Sequence, residues 1–246
     1  MLAGPEVRHQ GGGVKARSGS LGARVLKNDG QGSPGGEKAP YLCLVVASVI
    51  DPESSVVAFF ESKVKDAARA RGEDPEAPRA LYVAGLLAGY ARPEALSREA
   101  LDRPLSLLLR EALVTAGPQR FERLRGLGDH ALYVSGFFAE SLERRGVPKR
   151  FVCELGATAY DAASAMLRRA AGETRGPDVF DDLAHHFEDV VILLEDVADA
   201  LYAAGAQSPK SVLDVYERWN RRGTPALAEA LAAWGIVPTR GNGTLH

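Results

Sequence analysis

The stretch from Gly126 to Arg169 constrains the fold more than any other part of the chain, because it contains two apolar helical patterns in succession. In both halves apolar residues recur three and four positions apart, which is typical of a helix with a broad buried face. The turn between them, Arg-Gly-Val-Pro, puts Pro148 in the first turn of the second helix, where its missing amide proton does no harm. Glycine inside a helix costs about 1 kcal/mol relative to alanine, so we expect Gly136 to face Gly156 at a close helix crossing.

Proline and glycine mark helix ends at regular intervals from Asp51 onward. Prolines stand in first turns and glycines follow last turns, as expected for helical punctuation. One predicted helix runs from Pro118 to a break at Gly126 and Gly128, and a long one runs from about Asp178 to Ala204. No segment after residue 50 shows the alternation of a strand, and no repeat of 30 to 45 residues indicates a solenoid. The predicted fold class is all-α, with about eight helices in an orthogonal or bundle-like array.

The first forty residues are rich in Gly, Ser, Lys and Arg and show no apolar periodicity, a composition that favours disorder. The apolar run Tyr41–Ile50 follows. It fits a signal-peptide core with cleavage after Val45-x-Ala47, a buried strand or helix, or an over-extended reading frame whose native start lies near Ile50. The predicted organisation is therefore a disordered or over-extended segment over 1–50, one all-α domain over 51–238, and a loose tail over 239–246.

Composition narrows the function classes. The 246 residues are 46% hydrophobic and 25% charged, as in ordinary globular proteins. A net charge of −2 gives no electrostatic case for nucleic acid or an anionic membrane. Two cysteines, Cys43 and Cys153, make neither a disulfide framework nor a metal-type spacing, and Cys153 is expected to be a reduced core thiol. No apolar run reaches the roughly 20 residues that span a bilayer, and the sequence indicates a cytoplasmic protein.

Three stretches resemble a known family. They are GDHALYVSGFF at 128–138, ELGATAYDAAS at 154–164 and VYERWNRRGTPALAEALAAWGIVP at 215–238. Together they resemble an all-helical bacterial family with the pattern Gly-Asp-x-Ala-Leu-x-x-Ser-Gly-Phe-Phe. The resemblance covers roughly residues 51 to 238. It implies an all-α fold and a native start of the protein near Ile50. That family has no established activity and no defined catalytic residues, so the resemblance implies no site.

The two central helices carry the polar side chains of a candidate ligand pocket. These are Asp129, His130, Tyr133, Ser135, Glu154, Tyr160 and Asp161. The competing interpretation gives Asp129 to the N-cap of the first helix and the hydroxyls of Ser135 and Tyr160 to the core. A nucleophile–base pair of Ser135 and His130 is disfavoured, because residues five apart lie on different helix faces. Glu154 and Asp161, seven apart, either converge or form salt bridges with Arg144, Arg145 or Arg150.

The predicted helix over 178–204 offers a candidate metal site and a candidate interface. Carboxylate and imidazole groups at helical spacing suit a divalent metal, with ligands drawn from Asp182, His185, His186 and Asp189. The alternative is a solvated acidic face. That face would lie opposite a heptad seam suited to self-association, formed by Leu183, Phe187, Val190, Leu194, Val197 and Leu201.

Established catalytic motifs are absent from the sequence. No P-loop, dinucleotide fingerprint, His-Glu-x-x-His or Gly-x-Ser-x-Gly is present, and we predict no cofactor. The basic residues Arg218, Arg221 and Arg222 faintly suggest helix-turn-helix, but the helix after them is nearly uncharged, which disfavours DNA binding. The favoured function is a protein-binding adaptor, regulator or scaffold. The alternative is an enzyme or a metal- or ligand-binding protein using one of the two candidate sites.

Overall fold

The computed structural model describes residues 55–91, 103–171 and 178–239. These residues form ten helices and no strand, which confirms the all-α prediction with two more helices than expected. In chain order the helices are α1 Val56–Ala70, α2 Pro78–Tyr90, α3 Leu105–Val114, α4 Pro118–Phe137, α5 Ala139–Arg144, α6 Lys149–Ala171, α7 Val179–His185, α8 Phe187–Ala204, α9 Pro209–Arg222 and α10 Pro225–Ala233. The predicted disordered or over-extended segment over 1–50 lies outside the described residues, as does all but the first residue of the predicted loose tail over 239–246.

Local sequence signals set several of the helix ends. Ser208 caps α9, since its hydroxyl accepts from the amide of Ser211 and the Ser211 hydroxyl accepts from the amide of Ser208. Gly223 ends the same helix in the left-handed region, with φ 66°, which glycine adopts without steric cost. Asp178 caps α7 by accepting from the amides of Phe180 and Asp181. These ends coincide with the predicted punctuation.

The predicted break at Gly126 and Gly128 is wrong. Helix α4 runs unbroken from Pro118 to Phe137, and the chain breaks instead at Phe138 before the short helix α5. Gly128 lies where a Cβ atom would come within 2.6 Å of the ring of Tyr160. This glycine therefore serves a close helix contact rather than a helix end, and the predicted N-cap role of Asp129 is also wrong.

The predicted long helix over 178–204 is interrupted at His186, which separates α7 from α8. All six residues of the heptad seam are buried in the main core, with exposures of 3% or less. Helix α8 packs against α1, α4, α6, α9 and α10. The seam is thus used within one chain, and it is not available as the self-association surface that the sequence suggested.

The two glycines of the central pair contact α8 rather than each other, which corrects the predicted crossing. A Cβ atom on Gly136 would lie 2.5 Å from the Cβ of Leu194. A Cβ atom on Gly156 would lie 2.3 Å from the ring of Phe187. Both glycines therefore let their own helices approach α8 closely. This close packing explains why glycine stands at these positions although it destabilises a helix interior.

A second, smaller core lies under the C-terminal helices. Val212, Val215 and Trp219 of α9 are buried against Leu227 and Leu231 of α10. Tyr202 and Ala203 near the end of α8 pack against this cluster, so α8 contributes side chains to both cores. None of the described helices combines the length and the apolar composition that a bilayer crossing requires.

Candidate functional site

The carboxylate of Asp129 is the centre of the predicted pocket in the structure. Tyr82 and Tyr160 both donate to its Oδ1, at 2.5 and 2.8 Å, and the Arg125 Nε lies 3.9 Å from its Oδ2. Helix α4 supplies Asp129 and Arg125 one turn apart, whereas α2 and α6 each bring one phenol. Asp129 is therefore not a helix cap. It is the centre of a hydrogen-bonded junction of three helices.

The electrostatic surroundings of these groups favour a structural role for the junction over a catalytic one. Burial raises the pKa of Asp129, although both phenols and Arg125 oppose the shift. Burial and the neighbouring carboxylate raise the pKa values of Tyr82 and Tyr160. A phenol with a raised pKa is neither a nucleophile nor a base near neutral pH. The groups satisfy one another, which is what buried polar side chains in a core require.

Aromatic rings surround the junction. Tyr82 packs edge-on against Phe180, with ring centroids 5.5 Å apart, and Tyr160 lies 5.9 Å from Phe187. Further along α4, the predicted pocket residue Tyr133 is fully buried and stacks on Tyr90 at 4.1 Å with nearly parallel rings. These contacts fill the space between the helices with side chains. Tyr133 therefore lies in the core on the same side of α4 as Asp129.

Ser135 and His130 are both buried on α4, but the structure gives them separate surroundings. Ser135 lies beside the thiol of Cys153, and burial raises the pKa of that thiol. Cys153 is a free, buried cysteine, as predicted. His130 is 6% exposed, and burial together with the charge of Arg103 lowers its pKa to about 4. The imidazole is therefore neutral near pH 7, and its burial in the core is the main cause.

Glu154 and Asp161 do not reach the pocket. Their side chains are 59% and 62% exposed on the outer face of α6. Glu154 pairs with Arg150 at 2.8 Å, the salt bridge that the competing interpretation predicted. Asp161 lies 3.8 Å from Arg168. Of the seven polar residues predicted for the pocket, the structure brings together Asp129 and Tyr160. Tyr133, Ser135 and His130 are buried elsewhere along α4.

The predicted metal ligands occupy the junction of α7 and α8. His186 lies 2.9 Å from Asp182, which also binds Arg79 at 3.1 Å. His185 donates from Nδ1 to the carbonyl of Asp181, and Asp189 is exposed one turn further on. Among the described residues no three His, Cys, Asp or Glu side chains form a group that could hold a metal ion. The carboxylate that faces His186 is already paired with an arginine.

A buried ion-pair network on α8 was missed by the sequence interpretation. Asp199, 1% exposed, accepts from the guanidinium of Arg218, from Arg222 at 2.7 Å and from the Thr224 hydroxyl at 3.0 Å. Glu195 accepts from Arg222 and, at 2.7 Å, from Lys149. The acidic face of the long helix is therefore not solvated at these two positions. An arginine pair four residues apart on a strongly amphipathic helix was the available signal.

The same network reaches a third carboxylate. Arg222 also binds Asp196 at 2.9 Å, and Arg71 at the end of α1 lies 3.5 Å from that carboxylate. Burial raises the pKa of Asp196 even though both arginines oppose the shift. One guanidinium thus contacts three carboxylates of α8, which fixes α9 on the main body. Two of the three arginines that the sequence associated with helix-turn-helix, Arg218 and Arg222, belong to this network, whereas Arg221 pairs with Glu140 at the surface.

Comparison of the chain with protein-family models, with curated proteins and with solved structures finds no match. The assignment of function therefore rests on the residues and their geometry.

Proposed function

We propose that this protein acts by binding another protein through the exposed side of α3, as an adaptor, regulator or scaffold in the cytoplasm. The observation that carries the proposal is the exposure of aliphatic side chains on that helix. Leu107, Leu113 and Val114 are 40%, 60% and 78% exposed, and Ala112 is the helix's one fully buried residue. Exposed apolar groups gathered on one short element are typical of interaction surfaces.

The geometry of α3 suits a helical or extended partner. Leu107 and Val114 are seven residues apart and therefore lie on one face of the helix. Leu113 extends the apolar surface beside them, and Arg110 lies between the two ends. An apolar stripe of this length matches the recognition of an amphipathic segment by a helix surface.

The charge around α3 indicates an acidic partner. Residues 103–125 carry five arginines and two glutamates. Arg103 and Arg123 both bind Glu111, so that carboxylate neutralises only part of the positive charge. Arg110 and Arg120 are exposed. We therefore infer a partner segment with an apolar face flanked by carboxylates, which would be attracted to this rim.

Binding is preferred to catalysis because neighbouring side chains already engage the carboxylates of Asp129 and Asp199. Asp129 is held by two phenols, and Asp199 by two arginines and a threonine. Both carboxylates are therefore hydrogen-bonded or ion-paired within the protein, and neither is left open to act on a substrate as a general acid or base. The metal and ligand alternatives gain no specific observation from the described residues.

Affinity capture from the native host tests the proposal with two matched double variants. Leu113→Glu/Val114→Glu alters α3, whereas Leu81→Glu/Val57→Glu makes the same changes at exposed positions on α2 and α1. The proposal predicts a protein that is enriched by the unmodified chain and by the control variant and lost from the α3 variant. Identical recovery by both variants, or no enriched protein, would overturn it. Circular dichroism checks that both variants keep their helices.

A further inference from the structure

The outer face of α9 carries an apolar stripe that no described residue covers. Leu213 and Tyr216 are 56% and 39% exposed. They lie on a different face from Val215 and Trp219, which are buried in the second core. The ring of Tyr216 lies 6.3 Å from that of Trp219, so the stripe continues directly from the core to the surface. Helix α9 therefore presents apolar side chains both inward and outward.

Two opposite charges lie along one edge of this stripe. Lys210 and Glu217 are exposed, and in the described part of the chain neither forms an ion pair. They are seven residues apart, so they share one side of the helix about 10.5 Å from each other along its axis. That distance is too long for a salt bridge between them. Within the described residues, this arrangement leaves an unpaired cation and an unpaired anion at the two ends of a short apolar patch.

This pattern is complementary to itself in the antiparallel sense. We propose that α9 is a self-association surface, on which the α9 of a second copy of this chain docks about a two-fold axis near Leu213 and Asp214. In that register Lys210 of each copy meets Glu217 of the other, and symmetry forms the pair twice. Tyr216 of each copy then lies between Pro209 and Leu213 of the other copy.

This inference is independent of the α3 proposal. It places self-association on α9 instead of on the predicted heptad seam of α8. The heptad residues of α8 are buried, so they contact no second chain, whereas the α9 stripe is on the surface. One helix face is a small interface, well below the area of a stable dimer. The expected association is therefore weak and reversible, with specificity supplied by the two charge pairs.

A charge swap tests the proposed register. Sedimentation velocity on the full chain, from micromolar to millimolar concentration, is expected to show a monomer–dimer equilibrium. Lys210→Glu places like charges opposite each other twice and should raise the dissociation constant about tenfold or more. The double variant Lys210→Glu/Glu217→Lys restores both pairs and should return the constant to near its original value. Arg169→Glu, an equal charge change at an exposed position on α6, is the matched control and should leave it unchanged.

A second readout locates the contact. A zero-length carbodiimide cross-link should join Lys210 of an unlabelled copy to Glu217 of an isotope-labelled copy in a mixed sample. A chain that stays monomeric throughout the concentration range overturns the proposal. So does a dimer that Lys210→Glu leaves intact, or one that the double variant fails to restore, because another surface would then hold it.

Discussion

Asp199 of α8 and Arg218 of α9 form an ion pair inside the protein, with side-chain exposures of 1% and 9%. The pair joins α8 to α9, and Arg222 contacts the same carboxylate from the next turn of α9. A buried charge left without its partner is costly. The attachment of the last two helices therefore depends on polar geometry as well as on apolar packing.

Removing the buried cation tests this attachment. Arg218→Met should lower the free energy of unfolding by about 3 kcal/mol, because Asp199 loses one of its two charged partners in a nearly dry environment. Arg221→Met, three residues along, is the matched control. Its salt bridge to Glu140 is about half exposed, and its loss should cost less than about 1 kcal/mol. Urea unfolding followed by tryptophan fluorescence measures both, and equal losses would contradict the buried-network account.

The helical glycines provide a second contrast. Gly136→Ala should destabilise the protein by about 1 to 3 kcal/mol, because the new methyl group would lie 2.5 Å from the Cβ of Leu194. Gly126 has open space around its Cα and lies within the same helix. Gly126→Ala should therefore stabilise the protein by up to about 1 kcal/mol through helix propensity. Opposite signs in thermal unfolding are the expected result, and the same sign for both would refute the packing role.

His130 should make stability depend on acid pH. Its pKa is lowered to about 4 in the folded protein, from about 6.5 in the unfolded chain. The neutral imidazole is thus favoured by folding, so the contribution is complete above about pH 6.5 and is lost as the pH falls towards 4. At roughly 1.4 kcal/mol per pKa unit the loss is about 3 kcal/mol.

His130→Gln isolates this contribution. Asp129 and Asp196 have raised pKa values and act in the opposite direction, gaining stability as the pH falls. The difference between the two proteins is therefore the quantity to measure, by unfolding at a series of pH values. Parallel stability curves from pH 7 to about pH 4 would show that His130 is solvated.

The phenols around Asp129 should matter most while that carboxylate is charged. Tyr82→Phe removes one donor to a largely buried carboxylate and should cost about 1.5 to 3 kcal/mol near neutral pH. The cost should shrink once acid protonates Asp129, because a neutral carboxyl group needs its donors less. Urea unfolding of the two proteins at neutral pH and at an acid pH that protonates Asp129 measures this change in cost. A cost that does not vary with pH would mean that Asp129 is already neutral at pH 7.

The sequence predicted helix ends well where the signal is local. Ser208 followed by proline, and Gly223 after the last turn, both mark observed ends of α9. Gly126 and Gly128 misled the interpretation, because a glycine that permits a close helix contact has the same sequence signature as one that ends a helix. The contact between Gly128 and Tyr160 joins two helices and cannot be inferred from local composition.

The candidate sites show the same limit. Asp129 and Tyr160 were predicted to share a pocket, and they do share a hydrogen bond, but Tyr82 arrives from α2 without any sequence signal. The pairing of Asp199 with Arg218 depends on how α8 and α9 are rotated relative to each other, which local sequence does not determine. Acidic residues on a helix are usually solvated, and the tertiary arrangement overrides that expectation here.

Site-specific photo-crosslinking in the native host tests the central claim most directly. A photoreactive residue replaces Val114 on α3 or, as the control, Val57 on α1, both exposed valines. The account predicts a discrete adduct with a different protein from position 114 and none from position 57. An absent adduct at 114, the same adduct from both positions, or an adduct of two copies of this chain at 114 would contradict it.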